Sequence, residues 1–330
     1  MQSSRTIISI LNWNTADSTV ACVSAVLATL SNDLNVKIIV LDNGSAAADW
    51  ASLQAQMPQD PRIEVLREEQ NLGFAGGHNV VARIALRNEV DFIWLLNSDA
   101  TVTPDVLQKL LRTLHGEPRC GAVSPVIYAT HDHAIVDFCG AMHDWDALES
   151  TRTSKPEEAR ALEARFPTEM WLHGTAPLYR MRALAEVGLL DEGFFAYYED
   201  DDLGVRLSRA GWLNQMCFDA VIFHPRRTAI HAERPPYYFY LMARNGVIFW
   251  DRHTLKPYRK RMLIRLLSRS LLEAAKLQEK GFDDKSDACL NGFIDGVKKR
   301  TGPPKLHHTP PRWLKFLSKI IPYRAHMLLS

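Results

Sequence analysis

Short β-branched runs recur through the first hundred residues, and polar residues follow each one. Residues 6–11, TIISIL, and 36–41, VKIIVL, flank a helical stretch over residues 19–30. Continuous apolar runs of this length joined through a helix suit parallel strands buried on both faces. Further runs at residues 63–66 and 92–96 follow at similar intervals, with a helical pattern over 77–87 between them. Strand and helix alternating in this way predict an α/β fold, an open sheet whose binding site lies at the carboxyl ends of the strands. The polar segments 12–14, 42–45, 71–79 and 97–99 fall at those ends. Residues 120–180 are less regular, with a charged stretch at 155–165 that reads as a helix or lid. A basic amphipathic pattern over 257–280 and the proline-punctuated PPKLHHTPP at 303–311 lead into WLKFLSKIIPYRAHMLL. No repeat is visible.

One polar segment breaks the pattern. FFAYYEDDDLGVRLSRAGW, residues 194–212, sets Glu199, Asp200, Asp201 and Asp202 directly before a helix with Leu203, Leu207 and Ala210 on one face. Adjacent carboxylates raise one another's pKa unless a helix N-terminus, a cation or a metal offsets them. Asp201 or Asp202 as a helix cap with solvated neighbours is the bland alternative to a functional cluster.

Composition narrows the possibilities. A chain of 330 residues, 46% hydrophobic, can bury a full core. The net charge of +1 conceals a split: residues 251–330 hold 18 Lys and Arg against 7 Asp and Glu, a balance of +11, so residues 1–250 stand at −10. The basic tail carries Trp313, Leu314, Phe316, Leu317, Ile320, Ile321 and Tyr323 among Arg312, Lys315, Lys319 and Arg324. That mixture fits an anionic membrane surface better than nucleic acid; packing against the body or a second subunit of a homo-oligomer is the alternative. Five scattered cysteines without paired spacing suit a reducing compartment. MQSSRTIISILNWN lacks a signal peptide's apolar run, and no stretch reaches about 18 uninterrupted apolar residues, so a cytoplasmic protein, peripheral on the membrane's inner face at most, is expected.

Four motifs appear in order: LDNGS at 41–45, NLGFAGGHN at 71–79, LLNSDA at 95–100 and YYEDDDL at 197–203. The glycine segment is neither a Walker loop nor a dinucleotide fingerprint. Order and spacing together resemble glycosyltransferase family 2, and within it the rhamnosyltransferase-like enzymes of surface polysaccharide assembly, over residues 5–250. The resemblance implies a GT-A-type open mixed sheet flanked by helices over 1–250, nucleotide-binding over about 1–100 and acceptor-binding over about 101–250. Residues 251–330 then form a basic helical extension.

Residue by residue, the resemblance places Asn12 and Asn14 in the nucleoside pocket and has Asp42 accept the imino N–H of uracil or thymine, a task suited to an acceptor-only carboxylate. A turn before Asn43-Gly44 is the structural alternative for Asp42. Gly73, Phe74, Gly76, Gly77 and Asn79 are expected near the nucleoside or ribose, although FAGG reads equally as a helix start packed on a neighbour. Asn97-Ser98-Asp99 stands in place of the DxD element, so Asp99 is the expected ligand of a divalent ion, Mn²⁺ or Mg²⁺, with Asn97 beside it at the donor. His224 is the second ligand candidate, or a structural histidine. Asp200 is the expected base, deprotonating the acceptor hydroxyl. Trp171, His173, Gly174 and Glu199 are expected to shape the sugar and acceptor pocket, and Arg244 and Asn245 to hold the diphosphate. The implied partners are a nucleotide-sugar donor, dTDP-rhamnose first and a UDP-sugar second, and a saccharide acceptor, lipid-linked by preference. A sugar-1-phosphate nucleotidyltransferase lacks its Gly-rich N-terminal signature here, and a degenerate scaffold is disfavoured by Asp42, Asp99 and Asp200 standing together.

Overall fold

The computed structural model describes residues 4–31, 34–225, 234–306 and 308–320. The chain opens with β1 (Arg5–Asn12), α1 (Ala16–Thr29), β2 (Asn35–Asn43), α2 (Ala47–Gln56), β3 (Ile63–Glu68), α3 (Gly73–Arg87) and β4 (Phe92–Leu96). Ile8, Ile10, Ile38, Ile39, Val40, Ile93 and Leu96 are fully buried, which is why these runs show no alternation. It continues through β5 (Thr101–Val102), α4 (Val106–Gly116), β6 (Cys120–Tyr128), β7 (Val136–Phe138), β8 (Ala141–Asp144), β9 (Glu149–Arg152), α5 (Pro156–Arg165), β10 (Met170–Trp171), β11 (Leu178–Arg180), α6 (Met181–Val187), α7 (Glu199–Arg209) and β12 (Leu213–Phe223). Four helices follow: α8 (Pro236–His253), α9 (Arg259–Glu279), α10 (Asp283–Val297) and α11 (Arg312–Ile320).

The main sheet runs β3-β2-β1-β4-β11-β6-β12-β5, with β7 on β6, and β10-β8-β9 form a small second sheet. β1 pairs in parallel with both β2 and β4. The strand order therefore reverses beside β1, the switch point at whose carboxyl strand ends open α/β sheets bind their ligands. β11 enters antiparallel between β4 and β6, which makes the sheet mixed. β12 pairs in parallel with β6, with a register break between Cys217 and Val221, and its far end brings Phe223 opposite Tyr128. This is the expected open mixed sheet flanked by helices.

Contacts divide the chain into two compact units: Met1–Asp144, Ser150–Glu192 and Glu199–Arg226 form the first, and Trp145–Glu149, Gly193–Tyr198 and Arg227–Ser330 the second. The second unit thus takes in α8 as well as α9 to α11, because α8 packs on α10. Gly292 and Gly296 make that packing possible, since a Cβ at Gly292 would sit 2.2 Å from the Tyr240 carbonyl oxygen and one at Gly296 2.7 Å from that of Arg244. Tyr240 donates its hydroxyl to Asp295 across the same seam, at 2.7 Å. Among the described residues no helix is long and apolar enough to cross a membrane. All five cysteines are buried and outside disulfides.

Candidate active site

The ends of β1 and β2 carry a buried polar cluster. Asn12 donates its amide to Asp42 Oδ1 (2.8 Å), Ser45 Oγ (3.1 Å) and Asp49 Oδ2 (2.8 Å), and accepts the Thr19 hydroxyl. Asn12 and Asp42 are both fully buried. Asp42 Oδ2 also accepts the Ser45 N–H and lies 3.4 Å from Arg67 Nε. The Arg67 guanidinium lies over the Trp50 ring and reaches Asp42 from the solvent side, its own side chain 37% exposed. Asn14, in the left-handed region at φ 55°, accepts the Ala46 N–H through Oδ1 and so closes the turn beside this cluster. Asn12, expected in the nucleoside pocket, is thus hydrogen-bonded to Asp42, and Arg67 joins the same cluster. That arginine sits at the carboxyl end of β3, a location that the strand-end rule alone would have flagged.

The glycine segment is the first turn of α3. Gly73 holds φ 74° and donates to Asn71 Oδ1, while Asn43 donates to the Gly73 carbonyl. A Cβ at Gly76 would meet Leu72 Cβ at 2.8 Å, and one at Gly77 would meet Leu11 at 2.9 Å. Gly77 therefore allows close packing of α3 on β1, and Gly76 leaves room for Leu72 at the start of α3, as the helix-start alternative has it. Asn79 is buried and donates to the Leu190 carbonyl and Glu192 Oε1. His78 bonds Ser9 Oγ at 2.8 Å, and burial pushes its imidazole down to about 3, so it stays neutral. Phe74 stands edge-on to His78.

Asp99 and His224 meet. They follow β4 and β12, which the sheet order sets on opposite sides of β11 and β6, yet Asp99 Oδ1 lies 3.1 Å from His224 Nε2. The Asn97 side-chain amide lies 3.2 Å from the same nitrogen. Behind the ring, Asp137 Oδ2 stands 3.8 Å from Nδ1, a buried atom without a hydrogen bond. Burial by itself would push His224 down, but the carboxylates of Asp137 and Asp99 outweigh it and lift the imidazole to about 9. Asp137 lies in the irregular stretch between β6 and β8, where no periodicity marked it.

The four acids form the first turn of α7, and all are buried. Asp200 Oδ2 accepts the Gly174 N–H at 2.7 Å and Oδ1 the Asp201 N–H at 3.0 Å. Asp201 takes a 2.8 Å bond from His143 Nε2, and His143 stacks on Trp171. Burial raises Asp201 to about 6, with Asp200 adding to the effect and His143 opposing it. Glu199 is raised well above the usual carboxylate range, first by burial and then by Asp200, and its Oε2 has no hydrogen bond. Asp202 pairs with Arg206 one turn on, and Arg206 also binds the carbonyls of Val187, Gly188 and Leu189. Gly204 lets the helix lie on Trp171, where a Cβ would come within 2.9 Å. His173 bonds Thr175 Oγ1 at 2.7 Å, and burial lowers its pKa. Gly174 sits against Asp200 and the Phe74 ring.

Arg244 and Asn245 lie in the second unit. Arg244 is fully buried and donates to Asn245 Oδ1 and to the carbonyls of Gly302 and Phe194. Asn245 donates to the carbonyls of Phe194, Ala196 and Tyr197. Both are thereby committed to holding residues 193–198.

The donor set fits a divalent cation. Asp99 offers a hard oxygen and His224 a ring nitrogen beside it, and the Asp137 carboxylate lies 3.8 Å behind the ring, on the side where a ligating imidazole commonly has an acceptor. Among the described residues no three His, Cys, Asp or Glu side chains converge to hold an ion unaided.

Comparison with known proteins gives the family and the fold. The family model described as Glycosyl transferase family 2 matches residues 7–188. A curated relative, N-acetylglucosaminyl-diphospho-decaprenol L-rhamnosyltransferase of Mycobacterium tuberculosis, is 30% identical over 217 residues, 59% of this chain and 68% of that protein. A mannosyltransferase from Pyrobaculum calidifontis, solved with GDP-Man and Mn²⁺, shares the fold at a TM-score of 0.57 and 13% identity, covering 90% of this chain and 88% of that one. GalNAc-T7, solved with UDP, GalNAc and Mn²⁺, gives 0.54 at 15% identity over 99% of this chain and 58% of its own.

Proposed function

The chain belongs to glycosyl transferase family 2, and on that premise we propose that it moves a rhamnosyl group, with inversion, from a dTDP- or UDP-sugar to a lipid-linked saccharide acceptor. It is a glycosyltransferase with a GT-A-type fold, similar to rhamnosyltransferases. The relative from Mycobacterium tuberculosis, named for a diphospho-decaprenol acceptor and L-rhamnose, supports the finer choice of sugar and acceptor. The observation that carries the reading is the meeting of Asp99 and His224 at the strand ends, in the same unit as the buried Asp200.

Asp42 reads the base. Its carboxylate accepts from the ring imide N–H, which uracil and thymine possess and cytosine lacks, and Asn12 and the Ser45 N–H fix its orientation. Arg67 covers that carboxylate and shifts aside, or donates to a ring carbonyl, as the base enters. Asp99 and His224 would hold Mn²⁺ or Mg²⁺; when bound, the ion neutralises charge developing on the leaving diphosphate. Asp137 keeps the His224 ring oriented for this.

Asp200 is the base. Each of its oxygens accepts one backbone N–H and keeps a lone pair for the acceptor hydroxyl, so the group is oriented before substrate arrives. Burial, and then the neighbouring Asp200, raise the Glu199 carboxyl well above the usual carboxylate range, which disfavours a second charge beside Asp200. Asp201 is drawn toward His143, which leaves Asp200 as the acid of the turn that faces Gly174. Trp171, His173 and Gly174 shape the sugar pocket around it, and Arg244 and Asn245 act as supports of residues 193–198.

The decisive measurement is a donor screen with Mn²⁺. dTDP-rhamnose and UDP-sugars are offered against a lipid-linked GlcNAc diphosphate, nucleotide release is scored, and the anomeric configuration of the product is read by NMR. Release with one donor and an inverted product is the expected result; a retained configuration, or no turnover with any pyrimidine donor, overturns the reading.

A further inference from the structure

The second unit contains a groove that the transfer chemistry does not use. It encloses about 670 Å³ and is lined only by residues of α8, the start of α9 and the end of α10 with the residues just beyond it. Arg252, Arg259, Lys260 and Lys299 line it with four basic side chains, the Arg252 guanidinium lying over the Phe194 ring, and Asp251 is the single acid among the described residues of the wall. Asp251 lies 3.0 Å from Lys299 Nζ and 3.6 Å from Arg259 Nε, so it aligns two of the cations and leaves a local excess of positive charge. The rest of the wall is apolar, with Met262, Leu263 and Val297. A cationic rim over an apolar wall suits a ligand with a phosphate at one end and a hydrocarbon chain at the other.

The surface around the groove points the same way. Of twelve large hydrophobic side chains exposed among the described residues, nine lie in the second unit, and Leu255, Tyr258 and Ile264 flank the groove in the sequence at 70%, 54% and 56% exposure. A concentration of this kind marks an interaction surface, whereas scattered single exposures would not. The tail helix adds to it. Leu314 of α11 is buried against Leu271 and Leu290, with Leu317 and Leu267 in the same cluster, so the inward face of α11 is already used. Trp313, Phe316 and Ile320 point outward at 59%, 63% and 43% exposure, one stripe at helical spacing. Leu263 lines the groove and Leu267, one turn on, packs under α11; the two features therefore occupy neighbouring stretches of α9. Ile321, Tyr323 and Arg324, expected in the same stripe, lie outside the described residues.

We propose that this groove is a binding site for the phosphate headgroup of an anionic membrane lipid, with Ile264 and the outward face of α11 entering the lipid interface around it. The choice of occupant follows from charge. The unit carrying the groove holds the +11 balance of residues 251–330, and a basic surface with aromatic and aliphatic side chains binds an anionic leaflet through both terms. The inference rests on the lipid-linked acceptor proposed above, which a transferase held at the membrane would meet there.

Vesicle flotation of the full chain tests it. With phosphatidylglycerol vesicles the protein floats, and with phosphatidylcholine alone it does not. Lys260→Ala/Lys299→Ala weakens apparent vesicle affinity by about 25-fold, at about fivefold for each basic residue removed. Ile264→Ser/Phe316→Ser, which leaves the cations in place, weakens binding to the same vesicles as well. Both double variants retain full turnover on a short-chain, water-soluble acceptor, so loss of lipid binding is separable from failure of the transferase reading. Equal flotation on both lipids, or undiminished binding by the lysine variant, overturns the proposal. It is overturned too if phosphatidylcholine vesicles carrying a polyprenyl diphosphate sugar capture the protein while phosphatidylglycerol does not, since the acceptor would then be the occupant.

Discussion

Gly174 donates its backbone N–H to Oδ2 of Asp200 at 2.7 Å, and a Cβ on the same glycine would approach that oxygen and the Phe74 ring at 3.3 Å, so close that one of them would have to give by a few tenths of an ångström. The carboxylate is thus oriented by a neighbour that packs tightly against it. Asp200→Asn is expected to lose about two orders of magnitude in turnover while donor binding persists, as removal of a general base requires. Gly174→Ala displaces the carboxylate or the ring, and about a tenfold fall in kcat follows. Single-turnover kinetics check both; near-normal turnover of Asp200→Asn would move the base to another acid of the turn.

The Asp99 and His224 pair makes a prediction about metal affinity that does not depend on catalysis. Titration with Mn²⁺ and donor nucleotide, followed by electron paramagnetic resonance, is expected to show binding that His224→Ala abolishes. Asp137→Asn, which removes the charge on the Nδ1 side of the imidazole, weakens it by about 10- to 100-fold, the usual scale for loss of a group behind a ligating ring. Chelator removes activity and added Mn²⁺ restores it. Full activity in excess chelator would instead assign the leaving group to basic side chains.

Asp201 predicts a pH dependence of stability. Its folded pKa of about 6 exceeds the ordinary value of 3.8, so the fold favours the protonated acid. The stabilisation is complete below about pH 4 and is lost as pH rises through about 6, on the order of 3 kcal/mol in all. Asp201→Asn keeps an oxygen for His143 and cannot ionise. Urea unfolding at pH 4.5 and 7.5 is expected to show the wild type losing ground to this variant as pH rises; parallel pH profiles refute the assignment.

Residues 193–198 carry a local strain that the second unit must hold. Phe195, Tyr197 and Tyr198 have φ of 67°, 70° and 73°, a region that costs non-glycine residues about 1 kcal/mol or more each. Asn245 donates to three carbonyls of this stretch. Asn245→Ala is expected to destabilise the protein by about 2–4 kcal/mol, since the Ala196 and Tyr197 carbonyls lose this donor while that of Phe194 keeps Arg244. Denaturant unfolding checks this, and a change below about 0.5 kcal/mol would show the strain to be held elsewhere.

Much of the site was legible because strand ends are legible. The runs before Asn12, Asp42 and Asn97 are buried parallel strands, their apolar character is continuous, and the polar residue after each falls at the sheet's carboxyl edge whatever the rest of the chain does. The acidic first turn of α7 was equally plain, since the positive end of a helix offsets a run of four carboxylates that would otherwise repel one another. The stretch from 120 to 180 was not legible. Its strands β7 to β11 are two to four residues long, too short for a period to declare itself.

The sequence by itself determined which residues end strands, where the acids begin a helix and where the basic charge collects, because these depend on neighbours along the chain. Only the tertiary structure decided which of them meet. It put His224 against Asp99, Asp137 behind the ring and His143 on Asp201, and it spent Arg244 on the carbonyls of Gly302 and Phe194. It also divided the tail helix between a buried Leu314 and an outward Trp313 and Phe316. Each outcome rests on long-range packing, in which a buried polar group takes whichever partner the fold brings within about 3 Å, and spacing along the chain carries no record of that choice.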